Sequence, residues 1–307
     1  MFLGIIFVIN IFGNHKIENF KQIEARKLQT IIKIISPKIK LDRYFSNEDP
    51  IKKIKEIIVL SKPDKMKNTL FVYPEGILAG LYLNDLKNYQ YLIDESFSEK
   101  HKIILGVNSL EDGKVFNTLV FFDNKLNILH KYKKNKLVPF GEFLPFENTL
   151  KRIGFKKIAQ GYKSFSPSKQ RDLINFNNFK ILPLICYEII YSGNLSRNLD
   201  FDFVINISED GWFGNSIGPY QHFIHSKFRS IEEGKNIIRS SNNGYSGLIS
   251  PIGGHSKLIK STASGVITLD ELTLVDKTFF SFHGNKIFFY FNLIYISLIF
   301  FLKRKEL

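Results

Sequence analysis

Cys186 is the only cysteine in the chain and ends an apolar run, Ile181 to Cys186 (ILPLIC), followed at once by Tyr187 and Glu188. Two other reactive residues stand in comparable places. Thr69 to Glu75 (TLFVYPE) is an apolar run that ends in a proline and a glutamate, and Lys134 leads into LVPFGE, which closes on Glu142. A thiol with a reference pKa near ~8.5 is mostly protonated at neutral pH. A nearby ammonium stabilises its thiolate, and so does the N-terminus of a following helix. A carboxylate such as Glu75 can take the thiol proton and return one to a leaving group. An ammonium such as Lys134, with a backbone N–H as second donor, can hold the oxyanion of a tetrahedral intermediate. Cysteine, lysine and glutamate together thus suit covalent acyl transfer through a thioester. Taken singly, each has an ordinary structural use: a buried small side chain, a helix N-terminal charge, a solvated lysine.

These residues need elements that bring strand ends together. Strands are predicted at Leu28–Ser36, Thr69–Tyr73, Ile103–Val107, Val115–Phe122, Ile181–Ile185, Phe203–Ile207 and Tyr245–Ser250, all rich in Val, Ile and Phe. Several are nearly continuous apolar runs, as expected of strands covered on both faces. Helices are predicted at Asp49–Ser61 and Tyr220–Ile237, the second from the recurrence of Tyr220, Ile224, Phe228 and Ile231. Alternating strands and helices imply an α/β domain with a buried sheet, and residues at strand C-termini in such domains commonly line the site.

With 307 residues and 44% hydrophobic composition, the chain has material for one large domain. Its formal net charge is +14, but the lysines are scattered, and no basic stripe coincides with a nucleic-acid module. Nucleic acid is therefore not expected as a partner, and anionic lipid is the more natural use of the charge. A single cysteine allows no intramolecular disulfide. His222 and His225 lie three residues apart on the predicted helix, too few for a zinc site, and read as surface or core histidines. There is no glycine-rich phosphate loop, and no cofactor or metal is inferred.

Both ends are apolar. Ile287 to Leu302 (IFFYFNLIYISLIFFL) precedes Lys303, Arg304 and Lys305 and reads as a transmembrane helix with a cytoplasmic basic end. Phe2 to Phe12 (FLGIIFVINIF) is too short to span and reads as the last half of a membrane helix. The expected division is a partial membrane helix at 1–13, a catalytic domain at 14–286, and a transmembrane helix with basic tail at 287–307.

The strings YPEGIL (Tyr73–Leu78), KNKLVPFGEFLPF (Lys134–Phe146), ICYE (Ile185–Glu188), DGWFGNSIGPYQH (Asp210–His222) and RSSNNGYSGLISPIG (Arg239–Gly253) resemble the apolipoprotein N-acyltransferases, membrane members of the nitrilase superfamily. The resemblance runs over about residues 28 to 302 in the family's order. It implies a nitrilase-like αββα sandwich on the periplasmic side of the bacterial inner membrane, with a catalytic triad falling on Glu75, Lys134 and Cys186. It implies acyl transfer from a phospholipid to the α-amino group of a diacylglyceryl-cysteine apolipoprotein. It also places Glu142, Tyr187 and Glu188 beside the triad. Physically, Glu142 could orient Lys134 or an acceptor amine, and Glu188 could fix the cysteine turn. Trp212, in a loop with Gly211 and Gly214, is a candidate lipid- or substrate-contacting aromatic, core packing being the alternative.

The sequence departs from that pattern in places. The family carries several helices before the domain, of which this sequence has at most half of one. Position 209 is Glu where the motif usually has Asn. The aromatic expected near residues 42–44, usually Trp, is represented by Tyr44. The main competing expectation is a nitrilase-type amidase that acts on a small amide with water as acceptor. A catalytically idle, membrane-anchored binding module is a second. A Cys–His thiol protease is a third, less supported by the spacing.

Overall fold

The computed structural model describes residues 2–45, 49–146, 152, 164–193, 195 and 199–304. Twelve strands form two six-stranded sheets. The first sheet contains β1 (Arg26–Ser36), β2 (Thr69–Val72), β3 (His101–Glu111), β4 (Lys114–Asp123) and β5 (Ile128–Lys133), with β12 (Gly265–Leu272) added at the outer side of β1. The second contains β6 (Ile174–Phe176), β7 (Phe179–Ile185), β8 (Phe203–Glu209), β9 (Asn236–Asn242), β10 (Ser246–Ile249) and β11 (Leu258–Ile259). The centre of each sheet is parallel: β1–β2–β3 in one and β7–β8–β9 in the other.

The sheets pack face to face. Ile32, Ile34, Leu70, Val72 and Ile104 of the first meet Ile181, Ile185, Phe203, Ile205 and Ile207 of the second in one buried cluster. Fully burying a side chain of this size stabilises by ~1.5–3 kcal/mol, so this shared layer holds the two sheets together. The outer face of the first sheet is covered by α2 (Pro50–Ser61) and α3 (Gln90–Ser96), through Ile57, Phe71 and Phe97. The outer face of the second packs on α4 (Gly218–Glu233), where Phe223 meets Leu182, Val204 and Ile237. The layers are therefore α–β–β–α, as expected for strands that are apolar on both sides.

The helix expected to reach Ile237 stops at Glu233. Gly234 takes a left-handed conformation (φ 65°) as its C-cap, and β9 begins two residues later. The inward face of α4 is mixed, with polar residues buried beside Phe223. His222, Ser226, Arg229, Ser230 and Glu233 are buried, while Tyr220, Phe228 and Ile231 are exposed.

At the N-terminus, α1 (Phe2–Lys21) runs past the expected boundary at residue 13. Polar pairs such as Asn10–Asn14 and Glu18–Lys21 continue it, as i,i+3 and i,i+4 contacts do on a helix surface. At the other end, a short helix α5 (Phe279–His283) leads into α6 (Lys286–Arg304). Within α6, Lys286–Lys303 is long and apolar enough to cross a membrane by length and composition. Lys305, the last of the expected basic cluster, lies outside the described residues.

Candidate active site

The C-terminal ends of two central parallel strands, β2 and β7, and of the antiparallel edge strand β5 deliver the candidate side chains. Cys186 follows β7 directly, Lys134 follows β5 directly, and Glu75 stands three residues beyond the end of β2. Cys186 opens a short 3-10 turn, Cys186–Ile190, with a left-handed φ of 50°. Such a conformation costs a non-glycine residue on the order of 1–3 kcal/mol and persists only where its surroundings over-determine it. Glu188 does this here. Its fully buried carboxylate accepts hydrogen bonds from the Ile185 N–H (2.9 Å), the Asn135 N–H (2.9 Å), the Lys136 N–H (3.1 Å) and the Tyr132 hydroxyl (2.7 Å). One side chain thus ties the cysteine turn to the segment that begins at Lys134.

Lys134 is 1% exposed and sits between two carboxylates: its Nζ lies 2.8 Å from Glu142 Oε1 and 3.5 Å from Glu75 Oε1. Burial alone would lower its pKa, but Glu142, then Glu75, then Cys186 outweigh that and hold it well above the ordinary lysine value. It is a permanent cation. Asn117 of β4 bridges the carboxylates, donating to Glu75 Oε1 (2.6 Å) and Glu142 Oε1 (2.9 Å). The second oxygen of Glu142 accepts the Val138 N–H (2.9 Å), and that of Glu75 accepts the Glu209 N–H (2.9 Å). Gly106 permits the approach of Glu75: a Cβ there would lie 2.6 Å from the Glu75 Cα.

The cysteine departs from expectation. Burial, then the Glu75 charge, push the thiol well above its ordinary pKa, and Lys134 only partly counters them. A short 3-10 turn follows Cys186 rather than an α-helix, so no helix N-terminus helps. Burial and the Glu75 charge both favour the protonated form of the thiol.

Beneath the cysteine lies a polar network that hydropathy did not disclose. His222 Nδ1 is 2.8 Å from Asp210 Oδ1, and its Nε2 is 3.2 Å from the Cys186 carbonyl oxygen. Buried Arg239 donates to both Asp210 oxygens, at 2.8 and 3.1 Å. Burial would raise the Asp210 pKa, but Arg239 and His222 carry it far below the usual range. Cys186, Asp210 and His222 bring potential metal-ligand atoms within 4.8 Å of one another. The Arg239 guanidinium already neutralises that carboxylate and would oppose a cation there. His225, by contrast, is exposed at the rim.

Glu75, Lys134, Glu142 and Cys186 line one cavity of about 570 Å³, with Tyr187, Trp212, Phe213 and Ile217 around it. Trp212 is 40% exposed, and its ring lies 5.0 Å from that of Tyr44, the aromatic noted near residues 42–44. Glu209, the departure from the motif, is buried and ion-paired with Arg43. Arg43 and Asn117 stand outside the quoted motifs, and Arg239 opens one of them without its role being visible there. The buried charge of Arg43 has no signal in a local window, since its partner lies 166 residues away.

The family model described as carbon-nitrogen hydrolase matches residues 83–275, a span that includes Lys134, Glu142 and Cys186 and begins after Glu75. Among curated proteins, the apolipoprotein N-acyltransferase of Wigglesworthia glossinidia brevipalpis is 30% identical over 315 residues, covering 98% of this chain and 61% of that protein. The apolipoprotein N-acyltransferase of Rhizobium rhizogenes is 31% identical over 217 residues, covering 68% of this chain and 39% of that protein. The chain thus spans about three fifths or less of the length of these relatives. Among solved structures, a carbon-nitrogen hydrolase from Helicobacter pylori superposes with a TM-score of 0.58 at 14% identity, covering 80% of this chain and 89% of that one. An amidase from Nesterenkonia sp. superposes with a TM-score of 0.56 at 13% identity, covering 82% and 92%. These two likenesses concern the fold, a nitrilase-like two-sheet sandwich.

Proposed function

Because this chain belongs to the carbon-nitrogen hydrolase family, we propose that it transfers an acyl chain from a phospholipid through a Cys186 thioester to the amino terminus of a diacylglyceryl-cysteine apolipoprotein. The observation that carries the chemistry is the cavity in which the Cys186 thiol, on a left-handed turn, meets a buried ammonium held between two carboxylates. The similarity to curated apolipoprotein N-acyltransferases supports the choice of donor and acceptor.

In the first half-reaction Glu75 takes the Cys186 proton as sulfur attacks the ester carbonyl. Lys134 Nζ stabilises the oxyanion, a type of contact worth ~3–4 kcal/mol in the transition state. Collapse expels the lysophospholipid alkoxide, which receives the proton from Glu75. In the second half-reaction the acceptor's α-amine attacks the thioester and Glu75 takes the amine proton. The amide leaves, and the thiolate is reprotonated. Glu142 holds Lys134 in place throughout, so that Glu75 is free to exchange protons.

The membrane setting rests on α6. Phe288, Phe291, Tyr295 and Phe300 are 64–71% exposed, and the helix runs toward Lys303. With Lys303 and Arg304 on the cytoplasmic side, the sandwich lies on the periplasmic side. Phe213 and Ile217 at the rim are exposed apolar groups suited to lipid chains.

The test is reconstitution of the protein in phosphatidylethanolamine vesicles with a diacylglyceryl-cysteine peptide, and mass analysis of the peptide. N-acylated peptide is expected, and its loss in Cys186→Ala. Fatty acid or ammonia released from small amides, with no acyl peptide, would favour the amidase reading.

A further inference from the structure

Arg43 and Glu209 form a buried ion pair beside Glu75, their side chains 2% and 1% exposed. The pair is wired to Glu75 from both ends. Arg43 Nε donates to the carbonyl of Gly76, the residue next to Glu75, at 3.0 Å. The Glu209 N–H donates to Glu75 Oε2 at 2.9 Å. Each member is otherwise fully engaged. Arg43 Nη1 also donates to the Ile39 and Lys40 carbonyls (3.2 and 2.8 Å) and its Nη2 to the Tyr44 hydroxyl (3.3 Å). The Glu209 carboxylate accepts from Asn242 Nδ2 (2.7 Å), Gly211 N–H (2.8 Å) and Asn243 Nδ2 (3.2 Å).

We propose that the Arg43–Glu209 pair is a positioning clamp for Glu75, fixing the orientation of its carboxylate and balancing the charge around it. The proposal rests on the reading of Glu75 as the proton acceptor given above. The charged and titratable groups that face Glu75 are Lys134, Glu142, Cys186, and Glu209 with Arg43. Without Arg43, Glu209 would add an uncompensated carboxylate next to the one that must stay ionised to accept a proton. Without the Glu209 carboxylate, Arg43 would add an uncompensated cation. Burial raises the Glu209 pKa even with Arg43 present, so without Arg43 the carboxyl takes up a proton more readily and the Glu209→Gln arm is the more decisive one. The two single changes should therefore shift the pH response in opposite directions, a result that a general packing role would not produce.

The measurement is the burst of nitrophenol from p-nitrophenyl butyrate, a soluble activated ester, by the full chain in detergent between pH 4 and 9. The acid limb of the burst rate should move to higher pH in Arg43→Met, to lower pH in Glu209→Gln, and back to the wild-type position in the double variant. Each single shift is expected to be about one pH unit, so that at a fixed pH on the acid limb the burst rate of Arg43→Met falls about tenfold. Should Arg43→Met not fold, the downward shift in Glu209→Gln and its reversal in the double variant decide the matter. Shifts of the same sign, no shift, or a double variant no nearer wild type than the singles would overturn the clamp. Glu75→Gln run alongside separates the two ideas. An unchanged burst in that variant contradicts the role of Glu75 itself, whatever Arg43 does.

Discussion

Lys134 makes its closer ion pair with Glu142, at 2.8 Å, and its looser one with Glu75, at 3.5 Å. The division assigns the carboxylates different work. In the proposed mechanism the nearer one holds the ammonium, and the other exchanges protons. Glu142→Gln should therefore leave the fold intact yet let Lys134 turn toward Glu75. Acylation of Cys186 in a single turnover is expected to fall by about 100-fold, since a displaced catalytic group of ~1 Å can cost that much. A loss under threefold would show that Glu142 does not position the lysine.

The lysines near the site should respond unequally. Lys131 and Lys133 pair with Glu111, at 2.8 and 2.5 Å, and remain partly exposed. Surface pairs of this kind contribute ~0–1 kcal/mol, so Lys131→Ala and Lys133→Ala should change acylation little. Lys134→Ala should lower it by ~100–1,000-fold. Equal losses at all three would mean that bulk positive charge matters rather than one placed ammonium.

Much of this arrangement was legible in the sequence, and the reason is physical. The central strands are parallel and buried on both faces, so they appear as apolar runs, and the reactive residues punctuate their ends. Strand β9 escaped because Arg239, Ser240, Ser241 and Asn242 are buried yet polar. Their partners, such as Asn206 and Asp210 for Arg239, are distant in sequence. Asn117 fell inside an expected strand, but nothing local could show that its side chain joins Glu75 to Glu142. The direction of the thiol's pKa shift is hidden for a similar reason. The spacing shows that an ammonium is near but not that burial and Glu75 outweigh it.

The cysteine offers a pH test with a definite sign. A thiol whose folded pKa is raised favours the native state while both states are protonated. That contribution is fully present below the unfolded value of ~8.5 and is lost as pH rises from there toward the folded value. Native Cys186 should react with iodoacetamide at pH 7.5 far more slowly than the urea-unfolded chain does. Glu75→Gln removes a charge that raises the thiol pKa, so alkylation should accelerate while acyl transfer falls by at least ~100-fold. Both rates falling together would contradict the neutral-thiol account.

Glu188 should matter for stability first. Its carboxylate accepts from the Ile185, Asn135 and Lys136 N–H groups and the Tyr132 hydroxyl, and an amide in its place turns one donor against others. Glu188→Gln is expected to destabilise by about 2–4 kcal/mol in denaturant unfolding. A change below 0.5 kcal/mol, as an order-of-magnitude bound for surface sites, would mean that the cysteine turn is held by something else.

The central claim is that Cys186 carries the acyl group, and peptide-level mass spectrometry tests it most directly. The protein is incubated with a phospholipid of one defined acyl chain, with no acceptor present, and then digested. The account predicts a single added acyl mass on the peptide containing Cys186, released by neutral hydroxylamine, and strongly reduced in Lys134→Ala and Glu75→Gln. An acyl mass that persists in Cys186→Ala, or that sits on another peptide, would contradict it.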